Sequence, residues 1–286
     1  MAVRLVGACV KWVDLNPEID PLHGNVEHRR HGAGFSESDR AAVETALRLA
    51  EAWDAQVVVA CVGPRAAEGA LRELLACGAS RVVRVELAEE HVGEPTSAEV
   101  ARLLAGVWPA GPDRPEVVLC GDASVDRGSG SVPAFLAHEL GAAQALGLIE
   151  VTADGGELGA LRRLDGARRE RLRIQAPAVL SVEGSVADLR RAPLSATLVT
   201  RTAPVEVHHV RDVRAATSDQ PRLHPWRPRP RVLPPPAGDR ALDRIVALTG
   251  ALVDRTPPRT LELDPPDAAR AILDQLREWG YLSREG

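Results

Sequence analysis

The chain has 286 residues, 45% of them hydrophobic and 26% charged, with a formal net charge of −5. It is long and apolar enough to pack one large domain, or a domain plus an arm, which argues against wholesale disorder. No basic surplus points to a nucleic-acid partner, and no apolar run approaches the ~20 residues of a membrane span, so neither nucleic-acid binding nor membrane insertion is expected.

Aromatic residues make up only 3%, so Leu, Val and Ala must fill the core. Of the 35 Lys and Arg residues, Lys11 is the only lysine. The start of the chain lacks a charged n-region, an apolar h-region and a small-residue cleavage site. The four cysteines, Cys9, Cys61, Cys77 and Cys120, form no C-x-x-C pair. A reduced, cytoplasmic setting is the expectation.

The run AVRLVGACV predicts a buried strand. Ser36 can cap a helix whose apolar positions are Val43, Ala46, Leu47, Ala50 and Trp53. AQVVVACV is the next strand, closed by Gly63-Pro64. A helix follows with Ala67, Ala70, Leu71, Leu74 and Leu75 on one face and Gly78 as its stop. SRVVRVEL is a third strand. Thr96 or Ser97 can cap a helix carrying Val100, Leu103, Leu104 and Val107. EVVLC is a fourth strand, and Pro133 sits where the next helix would begin. This alternation predicts an α/β fold, a parallel sheet with helices on both faces. The segment between Val10 and Ser36 has no clear periodicity and is far longer than the usual ~2–6 residues of a βα loop, which favours a functional excursion.

After Gly147 the pattern shortens to LGLIEVTA, ELGALRRL, ARRERLRIQ and AVLSVEG, with ADGGE and LDGAR as turns. These runs are expected to be antiparallel strands added to the sheet. The first domain is therefore expected over residues 1–220. A Pro/Arg-rich extended linker, residues 221–238, marks a boundary. Residues 239–286 carry two short helices, one from Asp239 to about Leu248, the other from Asp264-Pro265 with Ala268, Ala271, Ile272, Leu276 and Trp279. So little chain cannot fold alone, and such an arm should pack on the main domain or on another chain.

Ligands of open parallel sheets lie beyond the carboxyl ends of the strands. The candidate tips are Cys9-Val10-Lys11, Cys61-Val62-Gly63 and Cys120-Gly121-Asp122. Gly128 and Gly130 can let a backbone come close, Ser129 and Ser131 carry hydroxyls, and the helix starting near Val132 can aim its amides at a phosphate. The same stretch is also compatible with a plain Gly-rich turn before a helix. Asp126 can hold a ribose hydroxyl or cap the turn, and Lys11 can reach a phosphate or flavin or remain solvated. The cysteines are taken as small buried hydrophobes rather than metal ligands, and irregularly spaced His23, His28 and His31 give no metal geometry. No G-x-x-x-x-G-K-[ST], no well-placed G-x-G-x-x-G and no Ser-His-Asp arrangement is present.

Several of these pieces resemble, in order, the beta subunit of electron transfer flavoprotein. VKWV (Val10 to Val13) is similar to its Val-Lys-x-Val, and AAVETALRLAE to its IAVEEALRLKE helix. VVVACVGPRAAEGALRELLACGASRVVRV resembles its strand, Gly-Pro, helix, strand unit. GDASVDRGSGSVPAFLAHELG resembles its nucleotide loop G-x-x-S-x-D-x-x-x-G-x-x-P, carried here by Gly121, Ser124, Asp126, Gly130 and Pro133. IQAPAVLSVEG and DLRRAPLSATLVTRTAPVEV resemble the strand and recognition segment that follow. The resemblance runs from residue 3 to residue 207.

It implies an adenine-nucleotide-binding, Rossmann-like three-layer fold and a heterodimer with an alpha subunit that holds most of a redox-active FAD. It also implies AMP as a structural nucleotide in this chain, bound among the strand-tip and loop residues named above. A recognition loop near residues 184–201, with Leu194 at the anchor position, would dock a donor dehydrogenase, and electrons would pass on to a downstream acceptor. Departures are visible. The family's Asn-Gln-Thr-Gly stands here as Gly130, Ser131, Val132 and Pro133, its Asn-Pro-x-x-Glu as Ser36-Glu37, and of its lysines after the loop only Arg201 remains. A bifurcating subunit with its own FAD, or a stand-alone adenine-nucleotide-binding or hydrolysing protein of the same fold, are the alternative readings.

Overall fold

In the computed structural model, the described residues are 4–27, 32–87, 95–108, 111, 114–154, 157–210, 235–236, 238–250 and 260–282. The first apolar run forms β1 (Leu5–Val10). The long excursion after it carries β2 (Val13–Asp14), β3 (Glu18–Ile19), β4 (Val26–Glu27) and β5 (Ala33–Gly34). Next come α1 (Glu37–Trp53), β6 (Gln56–Val62), α2 (Glu68–Ala76), β7 (Arg81–Leu87), α3 (Ser97–Val107), β8 (Val117–Gly121) and α4 (Val132–Leu140). The remainder is β9 (Ala143–Asp154), β10 (Glu157–Arg163), β11 (Arg169–Ile174), β12 (Ala178–Val182), α5 (Leu194–Thr200), β13 (Glu206–Val210), α6 (Ala241–Thr249) and α7 (Pro265–Glu278).

Nine strands form one sheet in the order β11-β10-β9-β12-β8-β1-β6-β7-β13. From β9 to β13 every neighbouring pair is parallel, while β10 and β11 add an antiparallel edge to β9. Strand alternation sorts the core into two layers. Val6, Ala8, Val10, Val57, Val59 and Cys61 pack with α1 and α2, whereas Cys9, Ala60, Val118 and Cys120 pack with α3 and α4. The α/β fold with helices on both faces is therefore the one expected.

One expectation is corrected. The run at residues 178–182, expected among the antiparallel strands, is β12, which lies inside the parallel part between β8 and β9. All five of its residues are buried, as a strand covered on both faces requires, and such a strand shows no polar alternation.

The helix starts follow local chemistry. Ser36 caps α1 by accepting from the Asp39 amide at 3.2 Å, and the Asp39 carboxylate accepts in turn from the Ser36 amide at 3.3 Å. Thr96 and Glu99 repeat this reciprocal cap at α3. The excursion before α1 is folded: β2 pairs with β5 at its base, β3 pairs with β4 further out, and Trp12 meets Phe35 edge-on at 5.7 Å.

The chain divides into two units, Met1–Trp226 and Arg227–Gly286. In the second, α6 and α7 contain no buried residue, and Leu242, Ile245, Leu248, Ile272 and Leu273 are exposed. Apart from residues 235, 236 and 238, the Pro/Arg-rich stretch lies outside the described residues.

Candidate functional site

The order of the strands creates a crevice. From β1 the chain passes through α1 to β6 on one side, whereas from β8 it passes through α4 to β9 on the other. The connections thus diverge between β1 and β8, where doubly wound sheets place their ligands. A cavity of about 560 Å³ opens there, within the ~300–1,000 Å³ usual for small-molecule sites. Its floor is the strand tips Cys9-Val10-Lys11, Val62-Gly63 and Cys120-Gly121-Asp122. One side is Ala123, Ser124, Arg127 and Ser129 through Pro133; the other is Pro64, Arg65, Glu86 and Leu87, with Pro95, Ser97, Val100 and Leu104 from the α3 region.

The loop after β8 is held from within. The Gly128 amide donates to the Ser124 carbonyl at 2.8 Å, Ser129 and Ser131 hydroxyls lie 3.0 Å apart, and the Arg127 guanidinium donates to the Pro95 carbonyl at 3.3 Å. Gly130 has φ +59°, and a Cβ there would lie 2.7 Å from the Asp122 carbonyl oxygen, so only glycine lets the loop fold this closely. Ser131 precedes α4 without a side-chain cap to its amides. The first-turn donors of α4 therefore stay available for an anion, at the positive end of the helix dipole.

The first turn of α1 closes the floor. A Cβ on Gly121 would lie 2.7 Å from the Ser38 hydroxyl and 3.1 Å from the Asp39 amide, so the missing side chain admits this turn against the tip of β8. Asp39 lines the cavity and is 7% exposed. Burial pushes its carboxyl up to about 6, against hydrogen bonds from Ser36 and from the Lys11 amide. The Lys11 ammonium lies 2.5 Å from the Asp126 carboxylate. Burial raises the Asp126 carboxyl, but hydrogen bonds from Lys11 and Ser124 outweigh it and hold it below its ordinary range. Burial, aided at Cys9 by a hydrogen bond to Cys120 and at both by the nearby Asp39, drives the Cys9 and Cys61 thiols upward, Cys61 to about 12, so both stay protonated.

Of the residues named from the sequence, Cys9, Val10, Lys11, Val62, Gly63, Gly121, Asp122, Ser124, Ser129, Gly130, Ser131 and Val132 line the cavity. Asp126 reaches it through Lys11, Gly128 shapes the loop at φ +62°, and the Cys61 side chain faces α1 on the opposite side of the sheet. Cys9 and Cys120 are register partners on β1 and β8. Among the described residues no group of three or more His, Cys, Asp or Glu could hold a metal. His23 pairs with Asp20 at 2.6 Å; His28 and His31 lie outside the described residues. Asp39, Arg65, Glu86 and Arg127 were not singled out from sequence. Only Asp39 carried a local sign, three residues after a capping serine.

A second surface lies on α5, where Leu194, Leu198 and Val199 are 74%, 58% and 76% exposed. The segment before it is fixed to α1. Glu44, nearly buried, accepts from the Arg190 amide at 3.1 Å, from Arg190 Nε at 2.9 Å and from Nη2 at 3.1 Å. Arg48 also donates to Glu44, and Arg190 Nη1 reaches Glu51.

Fold and crevice together define a doubly wound α/β protein of the class that takes ligands beyond its strand tips. The Electron transfer flavoprotein domain matches residues 24–213. The chain is 30% identical over 175 residues to the electron transfer flavoprotein subunit beta of Bradyrhizobium diazoefficiens, covering 61% of this chain and 68% of that protein. It is 29% identical over 190 residues to the Methylophilus methylotrophus subunit, covering 65% and 70%. With the Homo sapiens subunit the figures are 30% over 167 residues, 58% and 64%. The chain belongs to the electron transfer flavoprotein beta-subunit family.

Proposed function

We propose that this chain is the beta-type partner in a heterodimeric electron transfer flavoprotein of the cytoplasm. It takes electrons from a dehydrogenase and passes them to a downstream acceptor through FAD at the interface with an alpha-type subunit. The observation that carries the reading is the cavity between β1 and β8, bounded by the Gly121–Val132 loop and the uncapped start of α4. An adenine mononucleotide fits that chemistry. Gly121 and Gly130 let the loop fold closely around the cavity, serine hydroxyls and α4 amides can meet a phosphate, and Asp122 can meet a ribose hydroxyl. With the family's Asn, Gln and Thr missing, the backbone amides and the serines are the donors left to hold AMP.

FAD, when bound, supplies the electron-carrying chemistry, and this chain contributes a wall to it. The exposed apolar residues of α6 and α7 support their role as an arm that packs on the alpha subunit. Leu194, with Leu198 beside it, is the anchor for the donor dehydrogenase, a small apolar plug on a firmly based helix.

The test is to purify the chain alone and together with an alpha-type subunit, then record visible flavin absorbance and nucleotide content. A colourless lone chain that carries AMP, and a yellow heterodimer, are expected. A lone chain that is already yellow would replace the reading with a bifurcating one. A stable monomer that binds ATP and never pairs would overturn both.

A further inference from the structure

We infer that Arg84 is a positioning residue for the nucleotide cavity, its guanidinium fixing the Gly63 turn and the Glu86 carboxylate that form one wall. This rests on the reading of the cavity as a nucleotide site. Arg84 occupies the fourth position of β7, register-paired with Cys61 and flanked by Val83 and Val85. Its side chain is 3% exposed. A buried cation there is costly unless it is fully hydrogen-bonded, so its presence calls for a local reason.

That reason lies in its acceptors. Nη1 donates to the Gly63 carbonyl at 3.3 Å and to Glu86 at 2.9 Å, and Nε donates to Glu68 on α2 at 3.3 Å. The Gly63 amide meanwhile donates to the Val85 carbonyl at 3.2 Å. Both polar groups of Gly63 are therefore tied to β7, one by backbone and one by Arg84. Gly63 and Glu86 line the cavity; Arg84 and Glu68 do not. The guanidinium fork alone can serve three acceptors in these directions, whereas an ammonium is a point donor on a flexible stem.

The experiment is AMP titration by calorimetry on the full chain, with a melting curve of each sample. Arg84→Met should raise the Kd for AMP about tenfold, Arg84→Lys by less, and Glu68→Gln, whose carboxylate also pairs with Arg72 but meets the cavity wall through Arg84, by about threefold. Arg81→Gln removes an ion pair at the far end of the same strand and should leave the Kd unchanged. Global destabilisation does not alter native-state affinity while the sample stays folded, so a Kd shift separates positioning from stability. Should Arg84→Met fail to fold, the Lys and Gln variants decide. Unchanged Kd values in them, with AMP bound normally by the wild type, would overturn the role of Arg84 and leave the nucleotide site standing. A wild-type chain that binds no AMP would overturn both.

Discussion

The only lysine of the chain, Lys11 at the tip of β1, is paired at 2.5 Å with Asp126, 115 positions later in the loop after β8. The pair joins the two strands whose outgoing connections diverge at the crevice. Both side chains are about a third exposed or more, 31% and 41%, so the pair adds little to global stability. Lys11→Met should cost under about 1 kcal/mol. It should nevertheless weaken AMP binding several-fold, because the loop loses its tie to β1. Denaturation and calorimetry on the same sample check this, and an unchanged affinity would show that the loop holds its shape without Lys11.

Gly130→Ala tests the loop from inside. A Cβ at that position meets the Asp122 carbonyl at 2.7 Å, in a left-handed conformation that costs a non-glycine residue about 1–2 kcal/mol. The loop must shift, so AMP affinity should drop by more than the small stability loss suggests. Binding equal to wild type, with a normal melting temperature, would mean the shape of the loop plays no part in holding AMP.

The strands and their tips were legible because unbroken apolar runs, caps and Gly-Pro stops are local signals. Which way a tip residue faces is not local. Cys9, Cys61 and Cys120 look equivalent in sequence, but register pairs Cys9 with Ala60 and Cys120, which turns Cys61 to the other side. Asp39 and Glu86 escaped notice for the same kind of reason. The first turn of α1 reaches the cavity only because Gly121, 82 residues after Asp39, lacks a side chain, and Glu86 is held at the cavity by Arg84, an arginine set between two valines of β7. The parallel β12 was misjudged because its brevity resembled the antiparallel runs around it, while its burial on both faces depends on neighbours.

The base of α5 carries a prediction about both stability and docking. Arg190→Ala removes two side-chain hydrogen bonds from the nearly buried Glu44 and leaves it the backbone amide of residue 190 and Arg48. The expected loss is about 2 kcal/mol, less than for a buried carboxylate stripped of every partner. Burial raises the Glu44 carboxyl, but hydrogen bonds from Arg190 and Arg48 bring it below 4.5. Its stabilisation is therefore complete above pH 4.5 and is lost as pH falls through the lowered value, so wild type and variant should converge in acid. Leu194→Ala should leave stability and FAD content unchanged and slow reduction by the donor. Urea melts across pH and stopped-flow reduction separate the two effects; equal reduction rates would remove Leu194 from the docking surface.

Asp39 gives the opposite pH signature. Its carboxyl is near 6 in the folded chain against an ordinary 3.8, so between those values the native state holds a proton that the unfolded chain has released. Stability from this group is greatest below 3.8 and declines as pH rises to about 6, beyond which the loss is complete. The full swing corresponds to up to about 3 kcal/mol. Asp39→Asn keeps an acceptor for the Ser36 and Lys11 amides and cannot ionise. Relative to wild type it should gain stability as pH rises from about 4 to about 7, with the gain levelling off above pH 6. Chemical denaturation of both proteins across this range measures the difference directly. A constant difference would show that Asp39 does not change its proton occupancy on folding, and that the α1 cap at the cavity floor is charged throughout.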